Sequence, residues 1–274
     1  MLYTFPLPFV LKSVQFTGPS RMISNLIWWT AMALEAIVLL RGVKGRLIRS
    51  YPLFYGYIGS VLTSEILRFV CYSFKPSFYR NFYWYSEFVV ILASYTIILE
   101  IYRRSFKNHP GVARLAQNLL LLALIITVAG VAANTWIGGF RSWAIAVGLL
   151  DCDLRYLEGA LLAVVLFLLG TYGISLGRNL RGLIAGYGFL VGMSVMNLVL
   201  LSHPGNEFSL LLRRLLPVTY VITLLIWCVG LWSPGPDPAP PADNEIARDY
   251  EVLAAKTRAI LTRVTNRLVR AIRT

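Results

Sequence analysis

The chain has 274 residues, of which 57% are hydrophobic and only 14% are charged. Its mean hydropathy of +0.64 excludes an ordinary soluble domain, because too few polar side chains are present to cover its surface. The net charge of +13 would suggest nucleic-acid binding in a soluble protein. Here the basic residues lie between apolar segments, where they mark the loops of a membrane protein, so no nucleic-acid partner is expected.

Seven segments are long and apolar enough to cross a bilayer core of about 30 Å as helices of roughly 20 residues. The third segment is the least apolar, because it carries Asn81, Glu87 and Ser94, but its aromatic and aliphatic content still favours a span. The sequence therefore predicts an all-α bundle of seven transmembrane helices. The predicted spans are 22–40, 51–73, 80–102, 115–135, 153–174, 182–202 and 212–232.

The distribution of Lys and Arg in the short loops predicts the orientation, because cytoplasmic loops carry more of them. The connections after the first, third and fifth spans and the C-terminal tail form the richer set. This places the N-terminus outside and the C-terminus in the cytoplasm. The richer set contains Arg41, Lys44, Arg46, Arg49, Arg103, Arg104, Lys107, Arg114, Arg178, Arg181 and the arginines of the tail.

The C-terminal region is predicted to form two parts beyond the transmembrane domain of residues 1–232. Residues 233–243 are rich in proline and predict a stiff, extended linker. In residues 244–274 apolar side chains recur at steps of three and four, from Ile246 to Leu268, which predicts a basic amphipathic helix. Such a helix could lie on anionic lipid, dock on a protein partner or form a coiled coil; its arginine content favours lipid.

A short pattern occurs twice, in residues 45–57 and 177–189, where a basic loop precedes aromatic residues around a glycine. The offset of about 132 residues carries the first three spans onto the last three, with the fourth as a linker. This three-plus-one-plus-three topology resembles the sugar-transporting SWEET proteins and, more loosely, microbial rhodopsins. Chance is the alternative, because the two halves match poorly elsewhere. The last span has no lysine for retinal, so the likeness is one of topology only.

Ionisable side chains at membrane depth are costly and usually face the bundle interior, so they are functional candidates. Glu65 with Arg68, and Arg155 with Glu158, are each three residues apart and lie on one helix face. Depth counting places them at one level in the outer half. The sequence predicts an outward-opening pocket for a small polar or cationic ligand; the alternative is ion pairing that only locks the bundle. The predicted pocket residues are Glu65, Arg68, Trp84, Glu87, Arg155, Glu158, Asn197 and Tyr220.

A second polar level is predicted near the cytoplasmic face, where long side chains would pair or extend toward water. It contains Glu35, Glu100, Arg103 and Arg178. Cys71 and Cys152 are both expected near the outer face, where a disulfide bond between them is geometrically possible. The sequence has no catalytic motif and no metal-ligand spacing, so no enzymatic activity, metal or cofactor is predicted.

Several motifs resemble a group of seven-span bacterial proteins that have no assigned activity. The likeness would cover nearly the whole chain, and it implies seven spans and a bacterial inner membrane but no site residues. It rests on YPLFYGYI, FYWYSEF, LEIYRR, LGRNLRG, GYGF and PVTYVITLLIW, followed by the proline-rich linker and the basic tail.

Three functions fit this organisation. A receptor or membrane-signalling component would use the outer pocket as input and the tail helix as output, and the separate tail favours it. A small-solute transporter would use the repeat and the two polar levels, but the spans lack the paired Gly or Pro breaks common in alternating access. An accessory subunit of a larger membrane complex would dock through the tail, and a homo-oligomer is a further possibility.

Overall fold

The computed structural model describes residues 19–107, 110–171, 176–201, 207–232 and 257–258. Every regular element in these residues is a helix, which confirms the all-α class. The linker of residues 233–243 lies outside the described residues, as does the predicted tail helix except for Thr257 and Arg258, which are helical. In chain order the helices are α1 (Pro19–Lys44), α2 (Leu47–Ser50), α3 (Pro52–Phe74), α4 (Pro76–Ser105), α5 (Pro110–Thr171), α6 (Arg178–Leu201) and α7 (Glu207–Gly230).

Proline and one strained residue set the boundaries at the start of the chain. Arg46, between α1 and α2, has a φ of 56°, a left-handed conformation that turns the chain. Pro52 and Pro76 begin α3 and α4. Proline suits this position, because the backbone N–H that it lacks would have no hydrogen-bond partner within the first turn of a helix. Only Lys75 separates α3 from α4. These two helices therefore form a tight helical hairpin.

Among the described residues, three helical segments are long and apolar enough to cross a membrane: Asn25–Lys44, Pro76–Ser105 and Arg178–Val199. Two shorter apolar segments, Leu120–Gly130 and Leu216–Gly230, lie in α5 and α7. Large apolar side chains are exposed on α1, α3, α4, α5, α6 and α7. Such exposure is unfavourable in water and suits contact with lipid, so the helices are those of a membrane-associated protein.

α5 differs from the prediction, because helix is assigned without a break from Pro110 to Thr171, where the sequence predicts a connection between residues 135 and 153. The side-chain contacts of α5 nevertheless show that it is not straight. Tyr95 donates a hydrogen bond to the carbonyl of Leu120, and the neighbouring Ser94 donates one to Glu158. In a straight helix Leu120 and Glu158 would lie about 57 Å apart.

The chain of α5 must therefore bend sharply between Leu120 and Glu158, because Ser94 and Tyr95 have Cα atoms only about 3.8 Å apart. Gly138 and Gly139 are the only consecutive glycines in this stretch of sequence, and glycine has the freest backbone. Beyond the bend, Trp143 packs on Tyr85 and Leu161 accepts a hydrogen bond from Tyr102, so this part of α5 runs parallel to α4.

The long helices form a closed ring. α1 packs on α3, α3 on α4, α4 on α5, α5 on α6 and α6 on α7, and α7 returns to α1. α4 also contacts α6 across the ring. The core between the helices contains large side chains that are almost completely buried, among them Phe54, Tyr95, Tyr187 and Trp227. The ring encloses most of the polar side chains that the sequence singles out.

Candidate functional site: a buried network of charges

Arg68 on α3 is the centre of the first group of charges, which we call the Arg68 cluster. Its side chain is buried, and its Nη2 lies 2.8 Å from an oxygen of Glu87 on α4. Nε donates to the Ser86 hydroxyl at 2.7 Å, and Nη1 lies 3.5 Å from Glu65. The guanidinium lies over the ring of Tyr83, 4.6 Å from its centroid. One cation thus interacts with two carboxylates, a hydroxyl group and the face of an aromatic ring.

Glu65 connects this cluster to α1. Its second oxygen accepts a hydrogen bond of 2.8 Å from the indole Nε1 of Trp28. Trp28 also packs against Phe69, one helical turn beyond Glu65 on α3. A change in the position of Glu65 would therefore act directly on α1.

Arg155 on α5 is the centre of the second group, the Arg155 cluster. Its Nε lies 3.3 Å from Asp151 and its Nη1 lies 3.4 Å from Glu158, one turn away on either side. Glu158 is fully buried, and its other oxygen accepts a hydrogen bond of 3.0 Å from Ser94 on α4. The Tyr187 hydroxyl of α6 also bonds to Glu158. This cluster joins α4, α5 and α6.

Glu35 on α1 and Tyr220 on α7 form a separate pair. The Tyr220 hydroxyl donates a hydrogen bond of 2.8 Å to Oε1 of Glu35. Oε2 of Glu35 is buried and has no hydrogen-bond partner among the described residues. The sequence assigns Glu35 to the inner level and Tyr220 to the outer pocket, yet the structure bonds them to each other.

Tyr57 on α3 links the three groups. It is buried, and it lies within electrostatic range of Glu35, Glu87, Arg155 and Glu158. Glu87 and Asp151 also interact, which connects the Arg68 cluster to the Arg155 cluster. The result is one buried polar network to which α1, α3, α4, α5, α6 and α7 contribute. Its acids are Glu35, Glu65, Glu87, Asp151 and Glu158, and its cations are Arg68 and Arg155.

The remaining predicted pocket residues lie near this network but make fewer contacts with it. Trp84 is partly buried and packs on Tyr83. Asn197 on α6 is buried, and its Oδ1 has no hydrogen-bond partner within the described part of the chain. Cys71 and Cys152 are free thiols, so the disulfide bond that sequence allows is not formed.

The residues of the predicted inner level have different environments. Glu100 on α4 is buried, and its Oε2 accepts a hydrogen bond of 2.6 Å from the backbone N–H of Phe54. Phe54 lies in the first turn of α3, so this carboxylate caps a helix N-terminus from a neighbouring helix. Arg103 and Arg178 are exposed, as expected for anchors near a membrane surface.

A cavity of about 200 Å³ opens between α1 and α7. It is lined by apolar side chains and one hydroxyl, and none of the residues predicted for the pocket lines it. Thr30 on α1 lies in its wall, between one and two helical turns before Glu35. Val221 on α7 lies in the opposite wall and follows Tyr220 directly in sequence. The complete lining is Leu26, Ile27, Thr30, Val218 and Val221.

Several members of the network are not among the predicted site residues. Asp151 is one helical turn from Arg155, a spacing that would have indicated an ion pair. Trp28, Ser94 and Tyr187 carry no charge to mark them. Their roles depend on contacts between helices, which helical spacing does not report.

No family model matches this chain, and comparisons with curated proteins and with solved structures find no match. The interpretation of the network therefore depends on its own chemistry.

Proposed function

We propose that this chain is a receptor or membrane-signalling component with seven transmembrane helices. Its N-terminus would lie outside and its C-terminus inside a bacterial inner membrane. A small cationic ligand would bind beside the Arg68 cluster, and the basic tail helix would carry the signal to anionic lipid or to a protein partner.

The order of the helices supports seven passes. α1, α3, α4, α6 and α7 account for five, and the bend of α5 between Leu120 and Glu158 divides it into two further segments. Passes that follow one another along the chain would then alternate in direction. An odd number of passes would place the two termini on opposite sides of the membrane.

The route from the Arg68 cluster to the tail is the observation that carries the signalling proposal. Trp28, near the start of α1, is bonded to Glu65. Near the other end of α1, Arg41 donates a hydrogen bond of 2.6 Å to the carbonyl of Trp232 and lies over its ring. Trp232 is the residue before the proline-rich linker. A shift of α1 caused by Glu65 would therefore reach the start of the tail.

The charge of the network favours a cationic ligand. Arg68 is shared by Glu65 and Glu87, so the cluster has two carboxylates and one cation, an excess of one negative charge. In a medium of low dielectric constant this excess attracts a positive group strongly. The adjacent rings of Tyr83 and Trp84 could face an organic cation, as aromatic side chains often do.

A thermal-shift screen in lipid nanodiscs tests ligand binding. The probes are primary amines, quaternary ammonium compounds and amino acids. We expect at least one cationic probe to raise the melting temperature of the wild-type protein, and Glu87→Gln to remove the shift. Asp153→Asn is the matched control, because Asp153 is an exposed acid close to the Arg155 cluster. No shift with any cation, or equal shifts in both variants, would contradict the proposed site.

Transmission to the tail is measured by the distance between spin labels at Val43 and Val229, which are 63% and 75% exposed. These positions lie near the ends of α1 and α7 that hold the Arg41–Trp232 contact. The labelled protein carries no other cysteine. We expect the active cation to change this distance, and Trp28→Phe to abolish the change while the thermal shift remains. A distance that the cation leaves unaltered would contradict signalling through α1.

A transporter is the second candidate, because the acidic network reaches from the Arg68 cluster to Glu35 in the middle of α1. Acidic residues that cross a membrane domain are typical of proton-coupled transport. Proteoliposomes loaded with the active radiolabelled cation separate the two functions. A receptor should show no uptake above that of empty liposomes, whereas uptake that Glu87→Gln abolishes would favour the transporter.

A further inference from the structure

Glu35 has less electrostatic compensation than any other acid of the network. It is 1% exposed, and its one hydrogen bond in the described structure comes from Tyr220. Oε2 has no partner there. Both Glu65 and Glu87 share Arg68, and both Asp151 and Glu158 share Arg155, but no cation among the described residues forms an ion pair with Glu35.

Within the described part of the chain, the groups that face Glu35 from the adjacent helices supply no positive charge. α3 contributes Tyr57, which is neutral, and Glu65, whose carboxylate repels a second negative charge. α7 contributes the Tyr220 hydroxyl. On α1 itself the next basic residue is Arg41, about 9 Å farther along the helix, where it is bonded to the carbonyl of Trp232. On α2, Arg49 lies farther still along the chain.

An ionised carboxylate in these surroundings is unfavourable, because the side chain is shielded from solvent and none of the described groups beside it is a cation. A neutral carboxyl avoids this cost. It offers a carbonyl oxygen that accepts from Tyr220 and an O–H group on the other oxygen. The observed geometry, with one oxygen bonded and the other free, fits the neutral form.

We propose that Glu35 is a proton-binding site that is occupied at neutral pH, and that loss of the proton opens the contact between α1 and α7. The proton leaves Oε2 for a water molecule, which becomes hydronium, and a carboxylate stays behind. That carboxylate requires water as a donor. The cavity between the same two helices, with Thr30 on one wall and Val221 on the other, offers a route for this water.

This site does not depend on the ligand of the Arg68 cluster. In a receptor the site would make the protein sensitive to pH. In a transporter it would bind the proton that is coupled to transport. The two proposals therefore fail separately, since a cation screen can give no hit while Glu35 still binds a proton.

Infrared spectroscopy of the full chain in nanodiscs tests whether the proton is present. The carbonyl stretch of a protonated carboxyl is resolved from the bands of a carboxylate. At neutral pH we expect a protonated band in the wild-type protein that Glu35→Gln removes. The control variant Glu65→Gln should keep the band, because Glu65 is paired with Arg68 and Trp28. Identical spectra of the wild type and Glu35→Gln in this region would overturn the proposal.

A second variant keeps the test decisive if Glu35→Gln does not fold. Tyr220→Phe removes the hydrogen bond to Oε1 and leaves the carboxyl in place. We expect the protonated band to move to higher frequency, because the carbonyl loses its donor. A band that does not move in Tyr220→Phe would assign the proton to another group and would overturn the proposal.

Spin labels on the two helices that border the cavity test the opening. Leu26 on α1 and Ile222 on α7 are 58% and 39% exposed. We expect their distance to increase by a few ångströms when the pH is raised until the protonated band disappears, and Glu35→Gln to keep the short distance at every pH. An equal increase in Glu35→Gln would overturn the switch. So would a wild-type distance that follows sodium concentration instead of pH.

Discussion

Gly182 on α6 and Gly230 on α7 lie so close that a Cβ atom on Gly182 would be 2.7 Å from the Cα of Gly230. One turn farther along α6, a Cβ on Gly186 would meet the indole nitrogen of Trp227. Gly182 and Gly186 are four residues apart on α6, a spacing of small residues that lets helices approach closely in membranes. Trp227 uses this space to donate a hydrogen bond to the carbonyl of Leu183.

Gly182→Ala should therefore destabilise the protein. The added methyl group meets backbone atoms of α7, which cannot move aside as a flexible side chain would. We expect a loss of about 1–3 kcal/mol, seen as a lower melting temperature in detergent. Gly192→Ala is the control, because a Cβ at Gly192 has no atom within 4 Å, and it should be neutral or slightly stabilising. Equal melting temperatures for both variants would contradict the close contact.

Arg68→Met should be strongly destabilising, because it leaves Glu65 and Glu87 without their cation. Loss of one partner of a buried ion pair costs about 3–5 kcal/mol. Adding Glu87→Gln to Arg68→Met should recover part of this loss, since one of the two abandoned charges is removed. Unfolding free energies of the wild type, both single variants and the double variant give the coupling. If the two effects simply add, Arg68 and Glu87 do not act as a pair.

Glu100→Ala should destabilise the start of α3, because the N–H group of Phe54 loses the carboxylate that accepts its hydrogen bond. An unpaired buried donor costs about 1–3 kcal/mol. Glu100→Gln keeps an acceptor oxygen at the same place and should lose less. Melting temperatures in the order wild type, Glu100→Gln, Glu100→Ala are expected. A melting temperature of Glu100→Ala equal to that of the wild type would show that the cap does not stabilise the helix.

The helices could be predicted from sequence because each combines an apolar stretch with a polar or proline-containing boundary. The reversal of α5 lies between Leu120 and Glu158, a stretch that contains the predicted connection of residues 135–153. What could not be predicted is that helix continues through this connection. Charged members of the site were also predictable, since a charge in an apolar segment is conspicuous. Their partners on other helices, such as Trp28, were not.

Depth counting assigns Glu35 and Tyr220 to different levels, although the structure bonds these two side chains to each other. Counted from a span that ends at residue 40, Glu35 belongs to the inner level, whereas α1 continues to Lys44 and places Glu35 nearer the middle. Tyr220, counted from residue 212, falls in the outer half. The two side chains meet because each is long enough to span the difference in depth between the two backbone positions. A count of 1.5 Å per residue does not include side-chain length.

The bend of α5 can be measured with spin labels at Ile126 and Val164, which are 60% and 49% exposed. On one straight helix these positions would be about 57 Å apart. Because α5 reverses its direction, we expect a distance of less than half that value in nanodiscs. A single distribution near the straight-helix value would mean that the contacts at Leu120 and Glu158 do not form together.

The proposed orientation predicts which side of the membrane each helix end faces. Val43 and Phe74, at opposite ends of adjacent passes, are 63% and 80% exposed, so a cysteine at either position is accessible. In a chain without its native cysteines, Phe74→Cys should react with a membrane-impermeant maleimide in intact spheroplasts, because the end of α3 faces outward. Val43→Cys should react only after the membrane is opened, since the basic end of α1 faces the cytoplasm. The reverse pattern would contradict the proposed orientation and would place the Arg68 cluster in the cytoplasmic half of the membrane. Reaction of both cysteines in intact spheroplasts would mean that α3 does not cross the membrane.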